Sequence, residues 1–334
     1  MTPTCASHYP APDGWRAHLR AIVLLSAVTS VSYVCAAQIR SDLPGQASND
    51  ESARRAALAP PYTEMSPEQL VKCLPELKAL QPAQDQQSLR AFLSKSGARV
   101  SDFLQQIVDL TSHEEITQEN LDESGRTKSS RHSKYNYLVL LHRSDLSPTP
   151  EEYRTDAKGN RVEPGGLDQG YALTSGFAFA CLRFLPGNQF NSTFRYVGTE
   201  TVGRRNTYVV AFAQRPDQGK PSSFLILKGL AIPFAEQGVA WIDQENFQIV
   251  RMRTDLLEPL SVSQVLPGLR GQGGLDQQTT EVTFEETRLL GVAGPLWLPK
   301  EVSVNVVFDR KRFHNEHRYE NYERFHVSSK IVTP

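Results

Sequence analysis

Residues 134–141 read KYNYLVLL, residues 190–196 read FNSTFRY and residues 301–308 read EVSVNVVF. In each stretch apolar side chains alternate with polar ones over several positions, which is typical of a strand with one face exposed to water. The pattern begins near His113 and recurs to the end of the chain. Long strands joined by short turns favour an antiparallel meander, and a large twisted meander tends to curl. We therefore predict an α+β fold, mainly antiparallel β, in which a curved meander sheet forms an incomplete barrel covered by helices.

The residues before this sheet carry the helical period instead. Ser66 to Gln69 (SPEQ) combine an N-cap, a proline at the first helical position and a glutamine at the third. Leu70, Leu74 and Leu77 continue at helical spacing, with Pro75 as a break, and two further short helices are expected at 89–97 and 101–110. We predict a helical N-terminal extension over residues 63–97 and a half-barrel β domain over residues 98–330.

The first 37 residues have the layout of an export signal. A basic flank precedes an apolar run from Ala21 to Val34, and small residues follow up to Ala37. The run falls short of the roughly 20 apolar residues that a membrane span needs, which favours cleavage near Ala37 over an uncleaved anchor. Residues 38–62 are polar and rich in proline, as in a flexible linker. We expect an exported protein, periplasmic or extracellular, with no transmembrane segment in the mature chain.

The charge balance argues against a nucleic-acid partner, and the cysteine content allows one disulfide. The 36 basic and 37 acidic residues give a net charge of -1, which provides no basic field for nucleic acid. Cys73 and Cys181 remain after removal of the signal. In an oxidising compartment they can form a disulfide, or they can stay as two buried free thiols, and the sequence leaves both outcomes open.

One apolar stretch is suited to covering the concave side of the sheet. Residues 170–185 (GYALTSGFAFACLRFL) place aromatic side chains at helical spacing, although a strand is equally compatible with so short a window. We predict an apolar cavity between this stretch and the sheet, and the alternative is that the same residues are plain core. The predicted cavity walls are Phe177, Phe184, Phe194, Tyr196 and Trp241.

Residues that could perform catalysis or bind metal do not form a recognisable set. His314 and His317 are three positions apart, so on a strand they point to opposite faces and one ion cannot bind both. Ser175 lacks the context of a nucleophile elbow, and Cys181 lies in an apolar stretch that disfavours the thiolate. We predict no catalytic residues, no metal and no cofactor.

A helix before the strands, a long run of antiparallel strands, an apolar insert and hairpins such as GVAWIDQENFQIVRMRT (238–254) together resemble the bacterial periplasmic carriers that sort outer-membrane lipoproteins. Five segments are also similar to a group of uncharacterised bacterial exported proteins. They are RNTYVVAFAQ (205–214), the same hairpin at 238–254, TTEVTFEETR (279–288), LWLPKEVSVNVVF (296–308) and HRYENYERF (317–325). The resemblance covers roughly residues 98–328 and rests on strand order and hairpin style. It implies an incomplete barrel whose concave apolar face, lidded by helices, holds acyl chains.

Three functions follow in order of preference. The first is a non-enzymatic envelope protein that binds a lipid, an acylated protein or another apolar ligand in the half-barrel. The second is a structural or protein-interaction module of the cell envelope that binds no small ligand. The third is a hydrolase of unknown type. Neither the ligand nor the oligomeric state can be deduced from the sequence.

Overall fold

A computed structural model describes residues 59–107, 109–142, 149–162, 174, 176–215, 223–227, 230–261 and 273–324. Its helices are α1 (Pro67–Cys73) and α2 (Leu89–Gln106), and 3-10 turns span Pro75–Leu77, Ala180–Phe184 and Gln189–Asn191. The strands are β1 (Gln81–Pro82), β2 (Leu110–Leu121), β3 (Thr127–His142), β4 (Thr149–Thr155), β5 (Ser192–Val202), β6 (Arg205–Gln214), β7 (Ser223–Leu227), β8 (Leu230–Phe234), β9 (Glu236–Asp243), β10 (Ile249–Leu256), β11 (Leu260–Ser261), β12 (Gly274–Thr287), β13 (Leu296–Phe308) and β14 (Lys311–Arg324).

Twelve of these strands form one antiparallel sheet in the order β1-β5-β6-β9-β10-β12-β13-β14-β2-β3-β4, with β11 beside β12. Strands β7 and β8 form a separate hairpin. Among the described strands, the edges β1 and β4 do not pair with each other, so the sheet is not closed into a barrel. The predicted class, a mainly antiparallel meander forming an incomplete barrel with helices, is confirmed.

Strands β4 and β5 are successive along the chain but lie towards opposite edges of the sheet. The residues between them must therefore cross the sheet. Residues 176–191 and helix α2 lie together on one face, and we call them the cover and that face the inner face. The cover residues Ala180–Phe184 adopt a 3-10 turn, which is neither the α-helix nor the strand considered from the sequence.

Helix α2 is longer than the sequence suggested. The two helices expected at 89–97 and 101–110 are one continuous helix. The predicted boundary between the helical extension and the β domain, between residues 97 and 98, lies inside this helix. Gly97 is buried where α2 meets the rest of the cover. A Cβ atom there would lie 2.8 Å from Nε2 of Gln189 and 2.9 Å from the carbonyl oxygen of Phe184. The absence of a side chain at Gly97 thus permits the close approach of the helix and the crossing residues.

The opposite, outer face of the sheet is covered by residues 60–82. Leu70, Leu74 and Leu77 are fully buried there, and Arg253 of β10 forms an ion pair with Glu76 at 2.7 Å. The capping box at Ser66 and the end of α1 before Pro75 agree with the sequence prediction. Tyr62, the last residue of the predicted linker, is buried, and its hydroxyl donates to Asp255 at 3.1 Å.

The C-terminal strand β14 is irregular near its end. Its register with β2 shifts between Glu320 and Glu323, and Asn321 adopts a left-handed conformation with φ of 56°. Phe313, His317 and Tyr319 precede this irregularity, and regular alternation along the strand turns all three side chains inward.

Candidate functional site

One half of the inner face, formed by β5, β6 and the neighbouring strands, is apolar. Phe184 of the cover is fully buried, and its ring centroid lies 5.4 Å from that of Phe194 and 6.0 Å from that of Phe212. Tyr196 packs edge-on against Phe92 of α2 at 5.0 Å. Three of the residues predicted to line a cavity, Phe184, Phe194 and Tyr196, are therefore brought together, and they pack against the rings of the protein itself.

The other two predicted wall residues lie elsewhere. Trp241 of β9 is paired with Val209 of β6. Val209 and Phe212 are three positions apart on one strand and point to opposite faces, so Trp241 lies on the outer face, away from Phe212. Its indole nitrogen donates to Glu200 at 2.8 Å, and the guanidinium of Arg251 lies 4.6 Å from its ring. Phe177 covers the far half of the inner face, with its ring 5.0 Å from that of His317.

A cleft of about 250 Å³ opens between α2 and the hairpin ends of β9–β10 and β12–β13. Its apolar floor includes Phe103, Leu296 and Trp297, and polar side chains form the rim. A smaller pocket of about 20 Å³ adjoins it and shares Phe103 and Trp297 as walls. The pocket extends under the helix to Cys181. The two spaces are neighbours with shared walls, and the rim of the larger one is formed by Arg99, Asp102, Gln106, Asn246, Gln248 and Glu286.

The far half of the inner face, formed by β14, β2, β3 and β4, carries a buried polar cluster. Glu114 accepts two hydrogen bonds from Arg154, at 2.5 Å from Nε and 2.8 Å from Nη2. Nδ1 of His317 donates to the same carboxylate at 3.0 Å and the hydroxyl of Tyr319 at 2.7 Å. Four donors thus satisfy one carboxylate that has no exposed surface.

The pKa values in this cluster follow from burial and pairing. Burial alone would raise the pKa of Glu114, but Arg154 and His317 outweigh burial and lower it to about 2. Burial lowers the pKa of His317 below its usual 6.5. Glu114 is therefore ionised and His317 neutral at pH 7, so Nδ1 of the imidazole carries the hydrogen that it donates.

Glu152 joins the cover to the edge strand β4. Its two carboxylate oxygens accept the backbone N–H groups of Gly176, at 2.6 Å, and Ala178, at 3.2 Å. Burial raises the pKa of Glu152, against the opposing effects of these N–H groups, Arg154 and Tyr137. The carboxylate therefore connects strand β4 to cover residues that lie 24 and 26 positions further along the chain.

The histidine pair divides as its spacing predicted. His317 is buried in the polar cluster, whereas His314 is on the other face and contacts Asn305 at 2.9 Å and Glu316 at 3.1 Å. Within the described ranges, no group of three histidine, cysteine or acidic side chains could hold a metal ion.

The two cysteines are free thiols on opposite faces of the sheet. Cys73 ends α1 and is exposed, whereas Cys181 lies in the cover, and burial raises the pKa of its thiol to about 12. The two cysteines are not bonded to each other in this structure, and Cys73 is exposed rather than buried.

This difference predicts selective labelling. In protein that begins at residue 38, iodoacetamide at pH 8 is expected to modify Cys73 at least about tenfold faster than Cys181, because only a thiolate reacts. Intact mass and peptide mapping would measure both rates, and the rates should converge in urea. A Cys73→Ser variant is the matched control and should label slowly. A native mass that lacks two hydrogens would instead establish a disulfide and contradict the prediction.

Sequence reasoning did not find the polar cluster. Glu114, Arg154 and Tyr319 lie on three different strands, and Glu114 is 203 residues from His317. The pairing of β14 with β2, which joins the two ends of the domain, brings them together. The available signal was that Glu114, His317 and Tyr319 all occupy inward positions of alternating strands.

Comparison with known proteins identifies similar folds and no family. No family model matches the chain, and no curated protein matches it. A putative outer membrane lipoprotein-sorting protein domain from Vibrio parahaemolyticus is 11% identical, with a TM-score of 0.36 over 72% of this chain and 95% of that one. A LolA superfamily protein from Nitrosomonas europaea is 12% identical, with a TM-score of 0.33 over 73% of this chain and 97% of that one. A DUF1329 family protein from Desulfovibrio piger is 12% identical, with a TM-score of 0.33 over 72% and 94%. The predicted resemblance to lipoprotein-sorting proteins is thus confirmed as a similarity.

The search for membrane-spanning helices gave a negative result. Among the described residues, no helix is both long and apolar enough to span a bilayer. The predicted signal, residues 1–37, and the linker up to residue 58 lie outside the described residues.

Proposed function

We propose that this chain binds an apolar ligand, such as the acyl chain of a lipid or of an acylated protein, between the inner face of the sheet and its cover. The observation that carries the proposal is the cleft beside α2. An apolar floor with a polar rim suits a ligand that has an apolar chain and a polar end. The role proposed here is binding rather than catalysis.

The construction of the inner face supports the same function. Over the described residues, its cover consists of helix α2 and a crossing segment with 3-10 turns. Small shifts of α2 relative to β13 would widen the pocket that ends at Cys181. Phe184, Phe194 and Tyr196 would then become walls of a chain-binding cavity, as the sequence predicted, and would otherwise remain core.

The direct test is uptake of fatty acid. Delipidated protein is expected to bind palmitate in native mass spectrometry. Gln106→Trp should weaken binding by about tenfold, or about 1.4 kcal/mol, because the indole would fill the cleft. Gln106 is exposed and lines the cleft, whereas its neighbour Gln105 is exposed and is not among the lining residues. Gln105→Trp is therefore the matched control and should bind normally.

Two outcomes would count against this function. Wild-type protein that takes up neither palmitate nor an acylated peptide would favour the alternative of an envelope interaction module. Equal affinities for the Gln106→Trp and Gln105→Trp variants would move the binding site away from the cleft.

We also propose that the protein acts outside the cytoplasm after export. The support is the layout of residues 1–37, with small residues before Gln38. Amino-terminal sequencing of the protein from the envelope fraction of an expressing bacterium should give a mature chain that begins near Gln38. A chain that retains the apolar run from Ala21 to Val34 would contradict cleavage.

A further inference from the structure

We propose that the stretch Gly176–Ala178 is a lid over the polar half of the inner face, that Glu152 fastens it, and that its opening controls ligand exchange. We call this stretch the lid. The inference rests on the proposed function and adds its regulation. The lid covers the polar half, but it leads directly into residues 180–184, whose Cys181 lines the pocket beside α2, so movement of the lid would reach the proposed ligand site.

The lid is attached to strand β4 by two hydrogen bonds to one side chain, Glu152. Both carboxylate oxygens of Glu152 are used, one for each of two N–H groups that are two residues apart. Gly176 adopts a left-handed conformation with φ of 95°, and a side chain is disfavoured there. This turn aims both N–H groups at the same carboxylate.

The side chain between those two N–H groups closes the polar cluster. Phe177 is only 3% exposed, and its ring lies against His317. Thr174, just before the lid, lies 3.4 Å from Nε2 of the same histidine. Lifting the lid would therefore uncover His317 and the Glu114–Arg154 pair in one movement.

The groups around Glu152 stabilise its hydrogen bonds to the lid only weakly, so these bonds can break. Arg154 from β4, Tyr137 from β3 and Tyr322 from β14 face the carboxylate. Arg154 is already held by both oxygens of Glu114, so Glu152 does not hold a cation of its own among the described residues. Glu152 is only partly buried, and even a partly buried carboxylate without its own cation costs some free energy, which offsets part of the gain from its two hydrogen bonds. Lids over binding sites are typically such elements of low local stability.

Amide hydrogen exchange tests the fastening without any ligand. In Glu152→Ala the amides of Gly176 and Ala178 are expected to exchange at least about tenfold faster than in the wild type, because both acceptors are lost. Amides in the middle of β13 should keep their rates. Glu151→Ala changes the adjacent residue, whose side chain points to the other face, and is the matched control. Unchanged exchange at Gly176 and Ala178 would overturn the lid.

Ligand release tests the role of the lid. Palmitate loaded into Glu152→Ala is expected to dissociate several-fold faster than from the wild type and from Glu151→Ala. Uptake with equal release rates in all three proteins would overturn the lid while leaving the proposed function intact. No uptake by the wild type would overturn the proposed function and the role in exchange, and amide exchange would still decide the fastening. Should Glu152→Ala fail to fold, Phe177→Ala loosens the lid from its other side and should give the same changes.

Discussion

Replacing Arg154 with methionine is expected to lower the free energy of unfolding at pH 7 by about 3 to 5 kcal/mol. The guanidinium makes two hydrogen bonds to Glu114, and both side chains are buried. Without Arg154, the Glu114 carboxylate stays buried with only the neutral donors His317 and Tyr319. Urea denaturation followed by circular dichroism would measure the loss.

The free energy of unfolding that is lost in Arg154→Met should become smaller at low pH. In the wild type, the pKa of Glu114 is lowered to about 2 from its usual 4.5, so the carboxylate contributes stability above pH 4.5 that is lost as the pH falls toward 2. Methionine at position 154 removes the cation that lowers this pKa, and protonation can then relieve the unpaired charge. The difference between variant and wild type is therefore expected to shrink as the pH falls below about 5.

Two further variants separate the buried pair from a general charge effect. Lys134 and Glu115 form an ion pair on neighbouring strands, with 71% and 42% of their side chains exposed. Lys134→Met should cost far less stability than Arg154→Met, because water and salt screen an exposed ion pair. The double variant Glu114→Gln with Arg154→Met should recover much of the stability lost by Arg154→Met alone, since no charge is left unpaired. A loss of under 1 kcal/mol for Arg154→Met itself would show that water reaches the carboxylate.

The sheet could be predicted because its signal is local. Alternation in segments such as 301–308 reports which side chains are buried. The capping box at Ser66 likewise reports where helix α1 begins. Each of these inferences needs only neighbours along the chain.

The site could be predicted only in part, because it depends on which strands are neighbours and on which face a residue lies. Phe184, Phe194 and Tyr196 lie in one layer, as aromatic residues in apolar stretches tend to do, and whether they line a cavity stays a prediction. Trp241 was assigned to the wrong face, since the strand β9 is buried on both faces and its alternation carries no information about direction. The role of Glu152 could not be predicted, because nothing near it in sequence reveals that Gly176 and Ala178 lie above it.

Replacing Gly97 with alanine is expected to destabilise the protein, although alanine is the better helix former. In an exposed helix the change would add about 1 kcal/mol of stability. Here the new Cβ would lie 2.9 Å from the carbonyl oxygen of Phe184 and 3.2 Å from Cδ of Pro186, and a backbone atom cannot move aside as a side chain can. Overpacking of this kind costs about 1 to 3 kcal/mol. The net loss is then up to about 2 kcal/mol, measured by urea denaturation.

The matched control is Ser94→Ala, one turn earlier on the exposed side of α2, where only helix propensity acts and stability should rise slightly. Both variants introduce alanine at nearby positions of one helix. A change in stability of opposite sign in the two variants would therefore report the contact between residue 97 and the cover. If Gly97→Ala pushes α2 away from residues 184–189, labelling of Cys181 should also accelerate, because the thiol lies beneath that contact. Stabilisation by Gly97→Ala with Cys181 still protected would mean that α2 does not press on the crossing segment, and the inner face would then lack the close cover from which its ligand-binding role is inferred.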